Sequence, residues 1–239
     1  MLELDGADEA EQPARSLTSA LLGRLRAEIL CCRLKPGERL IIGTIAGHHR
    51  VSLSVVREAL SRLVAEGWVE AQDQRGFRVS PVSIVELRDI NLSRIEIERI
   101  ALRQSIERGD SVWEQKVRSA YEHLSALPRA NPGDPGPLFT QWTGLHQKFH
   151  SALVSACPAG WLLKFQSLLF QKCERYRFLS YSFANRDVEG EHLRILEATL
   201  DRNADAAIAA LSDHYTKTAE IIINGLSAMS ALGDAARLP

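Results

Sequence analysis

The sequence predicts a mainly α protein in two parts, an N-terminal winged helix-turn-helix over 16–80 and a C-terminal all-α bundle of about six helices over 83–227. Three observations predict it. Residues 16–66 hold three successive stretches of helical apolar spacing, and 68–80 switch to two short β-prone runs around Gly76. From Ser83 onward nearly every stretch suits a helix, with turn signals at Gly109-Asp110, "LPRANPGDPGP", Cys157-Pro158, Asn185 and Asn203. Charge divides at the same place: 16–80 has ten Lys+Arg against six Asp+Glu, or +4, and 81–239 has eighteen against nineteen, or −1.

Taken in order, residues 1–15 hold five acids and one Arg, with no positively charged start and no apolar stretch. This reads as a disordered acidic tail and not as a secretory signal. Ser16 is placed to cap a first helix whose apolar face is Leu17, Ala20, Leu21, Leu25, Ile29 and Leu30, and Pro36-Gly37 ends it. A short helix is expected over 42–49. Another follows over 52–66, with Val55, Val56, Ala59, Leu60 and Leu63 as its buried stripe and Gly67 after its end. Strands are expected over 68–71 and 77–80. In the second part the Pro- and Gly-rich loop 128–137 separates two helices, and 228–239 reads as a flexible tail.

Two short helices with a tight connection and then a hairpin form the unit in which the second helix of the pair enters the DNA major groove. The helix over 52–66 therefore supplies the reading residues. Ser52, Ser54 and Arg57 offer hydroxyl and guanidinium donors to phosphates and to guanine O6/N7. Thr44, Arg50, Arg75 and Gly76 complete the candidate DNA contacts. The competing reading of Arg57 is a surface ion pair with Glu58 or Glu66. The segment "VSLSVVREALSRLVAEGWV" and the later "RGFRV" together resemble the recognition helix and wing of the GntR family of regulators. The resemblance covers 16–80 in order and implies double-stranded operator DNA as partner. Leu53 departs from it, standing where the family has a base-contacting Arg, and Val55 replaces a Pro. Direct readout is then expected to pass to Arg57 with help from Arg50.

In "GLHQKFHSAL", His146 and His150 lie four residues apart and share one helical face, so both imidazoles can reach one ion. A zinc hydrolase would carry Glu beside the first His as a base. Gln147 stands there and cannot accept a proton at neutral pH, and no nucleophile is evident, so the chain reads as a non-enzyme. Any histidine alone is better read as structural, and His48, His49 and His123 are left so. Residues 83–227 resemble the ligand-binding FCD domain of the FadR subfamily, in which an Asp and three His hold a divalent metal. On that resemblance His150, His192 and His214 take the histidine positions and His146 the position of the Asp. Four nitrogen donors favour zinc or nickel over hard cations.

The same resemblance places Arg94, on "LSRIEIERIALR", at the effector pocket. Beside a cation it would receive a small carboxylate. Its other reading is an ordinary helical pair with Glu98. Arg175 and Arg177 are secondary candidates. A homodimer is expected from the two-fold symmetry of helix-turn-helix operators. The longest apolar run, "WLLKFQSLLF", is too short and too interrupted to span a membrane. Cys31, Cys32, Cys157 and Cys173 form no C-x-x-C pair and read as buried, reduced thiols of a cytoplasmic protein. Two other readings stand beside this one: a metal-free regulator for an apolar or acyl ligand, and a zinc hydrolase fused to a DNA-binding module with Glu98 or Glu191 as base.

Overall fold

A computed structural model describes residues 14–73, 75–128, 137–179 and 186–231. The chain divides into two units, Met1–Pro81 and Val82–Pro239.

In the first unit the helices are α1 (Ala14–Leu30), α2 (Ile42–His49) and α3 (Leu53–Ala65), and the strands are β1 (Arg39–Leu40), β2 (Val69–Gln72) and β3 (Gly76–Val79). The strands form one antiparallel sheet in the order β1-β3-β2, with Val69 opposite Val79 and Leu40 opposite Phe77. α3 starts where Ser52 Oγ accepts the Val55 amide. Its stripe of Val55, Val56, Ala59, Leu60 and Leu63 packs with Leu21, Leu25 and Ile29 of α1 and with Trp68 and Val79 of the hairpin. Gly76 has φ +87°, a left-handed value that suits glycine and turns the chain into β3. The structure adds β1, which two residues are too short to announce by alternation, and moves β2 one residue later than expected and β3 one earlier.

The second unit is built of α4 (Ile84–Arg108), α5 (Ser111–Ser125), α6 (Pro137–Leu153), α7 (Gly160–Leu179), α8 (Val188–Leu200) and α9 (Ala204–Ala231), six helices among the described residues. α4 packs on α7 and α9, α8 on α9, and α5 on α6. Ser83, Asp110 and Asp187 cap their helices through side-chain oxygens, satisfying amides that the first turn leaves free. Gly109 is fixed by crowding, since a Cβ there would sit 2.1 Å from the Trp113 ring. The core is Leu102, Trp113, Val117, Phe149, Leu153, Ile195, Leu211 and their neighbours.

Three expectations change. α1 begins at Ala14, inside the segment read as a disordered tail, because Ala14 and Arg15 are strong helix formers. α9 runs to Ala231 on the Ala-rich "SAMSA", into the segment read as flexible. Cys157 and Cys173 are buried free thiols, whereas Cys31 and Cys32 are only half-buried, because the chain leaves α1 there and Cys32 turns with φ +52°. Most of the loop expected over 128–137, and the turn at Asn185, lie outside the described residues.

Candidate functional site

Two sets of residues stand apart from the packing of their units. The first lies at the start of α3. Ser52, Leu53, Ser54 and Arg57 are all exposed, as are Thr44, Arg50, Arg75 and Gly76. Neither acid proposed as a partner takes Arg57: Glu58 pairs with Arg62 at 2.5 Å, and Glu66 with Arg26 at 2.6 Å. Ser52 Oγ caps the helix and lies 2.8 Å from Ser54 Oγ, so one of the two hydroxyl protons is used between them and one remains to donate. Arg50 occupies the turn between α2 and α3 in a left-handed conformation, its amide closing α2 onto Ala46 O.

The second set is buried in the helical unit. His146 and His150 come from one face of α6, His192 from α8 and His214 from α9, and their ligand atoms all lie within 4.8 Å of one another. Trp142 stacks on His146 with ring centroids 4.8 Å apart and planes 12° from parallel, one turn earlier on the same face. Burial holds the imidazoles of His146, His150 and His214 well below their ordinary pKa, with Arg177 adding to the effect at His146 and neighbouring rings at the other two. They are neutral, which is the state that offers a lone pair to a cation.

Hydrogen bonds to the outer ring nitrogens decide where those lone pairs point. His150 Nδ1 is 2.9 Å from Tyr215 Oη, which donates to Glu98 Oε2 at 2.6 Å. The Tyr215 proton is thus spent on the carboxylate, so His150 Nδ1 is the donor of the first bond and its Nε2 is bare. Glu98 is held in turn by Arg94 Nε at 2.8 Å, and that guanidinium lies over the Tyr215 ring at 3.6 Å. His214 Nδ1 meets Glu191 Oε2 at 2.8 Å. Arg186 grips the same carboxylate at 2.8 and 2.5 Å and also donates to the His214 carbonyl. Arg186 Nη2 also lies 3.2 Å from this Nδ1, but its two protons go to the carboxylate and the carbonyl, so the shorter contact to Glu191 places the His214 proton on Nδ1, again leaving Nε2 bare. Carboxylates behind histidines in this way orient metal ligands and raise their basicity.

His146 differs. Arg177 Nη1, which can only donate, lies 2.9 Å from His146 Nδ1, so the ring proton is on Nε2 and is directed at His150 Nε2, 3.0 Å away. His146 then hydrogen-bonds to a ligand-ready neighbour. To bind a cation itself through Nε2, it must carry its proton on Nδ1 and release Arg177, which Glu174 already holds at 2.8 Å. The set fits a divalent ion that prefers nitrogen, with His150 and His214 poised and His146 conditional.

A cavity of about 200 Å³ opens beside His192, lined by Tyr121, Leu124, Trp142, Arg186 and Val188 among others. None of the three arginines expected at an effector pocket lines it. Arg94 is buried in its pair with Glu98 and Arg175 is buried on α7, while Arg177 reaches the histidines through His146. Arg186 does line it. Sequence reading missed this residue because it lies in the connection just before α8, where no periodicity points inward. Tyr215 was missed as one more aromatic on an apolar face. Glu98, expected as a helical partner of Arg94 or as a hydrolase base, does pair with Arg94, and it and Glu191, named as a hydrolase base, are each bound to a histidine-holding network. His123 and His48 are exposed and His49 is half-buried, and none of them belongs to the cluster.

Comparison with known proteins agrees with both halves. The family model described as bacterial regulatory proteins, gntR family, matches residues 17–79, and the FCD domain model matches 89–217. The chain is 41% identical over 210 residues to the HTH-type transcriptional regulator BphR of Paraburkholderia xenovorans, covering 87% of this chain and 86% of that one. It is 30% identical over 204 residues to the HTH-type transcriptional repressor GlaR of Escherichia coli, covering 83% and 92%. Among solved structures, Escherichia coli McbR/YncC superposes with a TM-score of 0.71 at 22% identity, over 87% of this chain and 97% of that one, a likeness of fold.

Proposed function

The chain belongs to the gntR family of bacterial regulatory proteins, a transcriptional regulator with an FCD domain, and we propose that it is a homodimeric, cytoplasmic repressor that binds operator DNA through α3 and is released by a small carboxylate. The effector site is the histidine cluster with a zinc or nickel ion. One observation carries this reading: four buried imidazoles from three helices converge in the core, and two of them are held by carboxylate networks that leave Nε2 bare. A structural histidine needs one hydrogen-bonding partner, and nothing in ordinary packing asks four rings to share one point.

His146, His150, His192 and His214 would hold the ion, which when bound supplies positive charge and a coordination position for a carboxylate oxygen. Arg186 stands at the cavity wall beside His192, and its guanidinium adds positive charge for an anion arriving there. Tyr121, Trp142 and Leu124 favour an apolar or aromatic body on that anion. Arg94 is a buried support for Glu98. The relative GlaR is a transcriptional repressor, and repression carries over to this chain as a proposal. A dimer is favoured by Trp161, Phe165 and Leu168, an exposed apolar row along α7, together with the exposed Val85 and Leu92 on α4. No helix among the described residues is long and apolar enough to cross a membrane.

The test is thermal stability of the full chain with zinc, followed by a panel of small mono- and dicarboxylates. At least one carboxylate raises the melting temperature of the zinc-loaded protein and leaves the His150→Ala/His192→Ala variant unmoved. An acyl or other apolar ligand that stabilises both proteins equally, with no carboxylate effect, would replace this reading with a metal-free pocket.

A further inference from the structure

We infer that Leu53 reads the 5-methyl group of a thymine in the operator, beside a guanine read by Arg57. The inference rests on α3 being the helix that enters the major groove. Leu53 is the first residue of α3 and 55% exposed, while the helix's other apolar side chains, Val55, Val56, Ala59, Leu60 and Leu63, are in the core. It belongs to no core cluster of the described residues. Its neighbours Ser52 and Ser54 are tied to the helix cap and to each other, which leaves a single hydroxyl proton, enough for one phosphate. The side chains free to meet base edges at this end of α3 are therefore one apolar and one cationic.

In the major groove only thymine offers an apolar group, while cytosine, adenine and guanine each present donors or acceptors that a leucine would strip of water without replacing. Leu53 thus favours thymine both by covering its methyl and by penalising the alternatives. Leu53 and Arg57 are four residues apart, on one helical face, with Cβ atoms about 5–6 Å apart. With base pairs stacked about 3.4 Å apart, they fall on pairs one or two steps from each other. The half-site then contains a thymine and a guanine within that distance, the guanine taken in a fork by Arg57.

The test uses the full-length protein to select duplexes from a randomised library. In the selected half-site, each thymine is replaced in turn by deoxyuridine, which lacks only the 5-methyl, and affinity is read by fluorescence anisotropy at fixed salt. One thymine per half-site should lose about fourfold in affinity on demethylation, the worth of one buried methyl group. Leu53→Ala should abolish that sensitivity, whereas Arg57→Ala should weaken binding and keep it. Because Leu53 is exposed and outside the core, Leu53→Ala should melt with the wild type. Demethylation without effect at every thymine, or a Leu53→Ala variant that keeps the wild-type sensitivity, would overturn the inference while leaving the DNA-binding role in place. A library from which no duplex is enriched would overturn that role, and this inference with it.

Discussion

In the first unit, Leu53, Ser54 and Arg57 stand in solvent on a helix whose opposite face is Val56, Ala59, Leu60 and Leu63. In the second, Arg94, Glu98, His146, His150, Glu191, His192 and His214 lie inside the bundle, all nearly inaccessible. The first arrangement would let recognition change with little effect on the fold, because Leu53 and Arg57, proposed to meet DNA, are exposed and outside the core. The second ties function to stability. Arg94 is paired with Glu98 and Arg186 with Glu191, and these carboxylates belong to the networks that aim His150 and His214. A change at the histidine cluster is felt by the whole unit, and a change at the DNA face is felt by the operator alone.

The contrast breaks most visibly at Glu98. Glu98→Ala leaves Arg94 buried beneath Tyr215 without its carboxylate, and urea unfolding should show a loss of about 3–5 kcal/mol, the cost of breaking a buried pair. If the loss were within error, the buried network would not be a support. Tyr215→Phe keeps the ring over Arg94 and removes the hydroxyl that links His150 to Glu98. Its expected cost is about 1–3 kcal/mol, with metal affinity falling about 10–100-fold. Equal metal affinity in the two proteins would detach Tyr215 from the site.

Acid sharpens the same comparison. The buried imidazoles have folded pKa values below their unfolded 6.5, so the unfolded chain binds protons that the folded chain refuses. Their penalty is absent above pH 6.5 and grows as pH falls below it. In metal-free protein, calorimetry should show the helical unit losing stability below that point while the first unit changes less. Parallel losses in both would contradict the burial argument. The smallest expected change in stability is at the surface: Arg57→Ala should shift unfolding by less than about 0.5 kcal/mol and yet weaken specific operator binding by about 1–3 kcal/mol. Unchanged affinity for a selected operator would remove Arg57 from the reading helix.

The two regions also differ in how far their sequences disclosed them. α3 was legible because its apolar stripe, Val55, Val56, Ala59, Leu60 and Leu63, is a local pattern, and the hairpin after it follows from Gly76 and short β-prone runs. The four histidines could be picked out through a family's spacing, and two of them through the i, i+4 rule. Their supports could not. Glu98 lies 117 residues from Tyr215, and Tyr215 lies 65 from His150, so only the packing of α4, α6 and α9 brings them together. Arg186 sits in the connection before α8 and carries no periodic signal. None of the three expected effector arginines lines the cavity beside His192, because a family resemblance names positions, whereas the cavity wall is set by which side chains the local network leaves facing it. Arg94 is taken up by Glu98, and Arg177 by His146 and Glu174.

The histidine cluster is best tested by metal content per chain, measured by plasma mass spectrometry on untagged protein beside the His150→Ala/His192→Ala variant. About one equivalent of zinc or nickel in the wild type, lost in the variant, is the result that four converging imidazoles, two of them with bare Nε2 atoms, predict. No metal in the wild type, even after zinc and nickel are offered, would contradict it and leave the histidines as a hydrogen-bonded core.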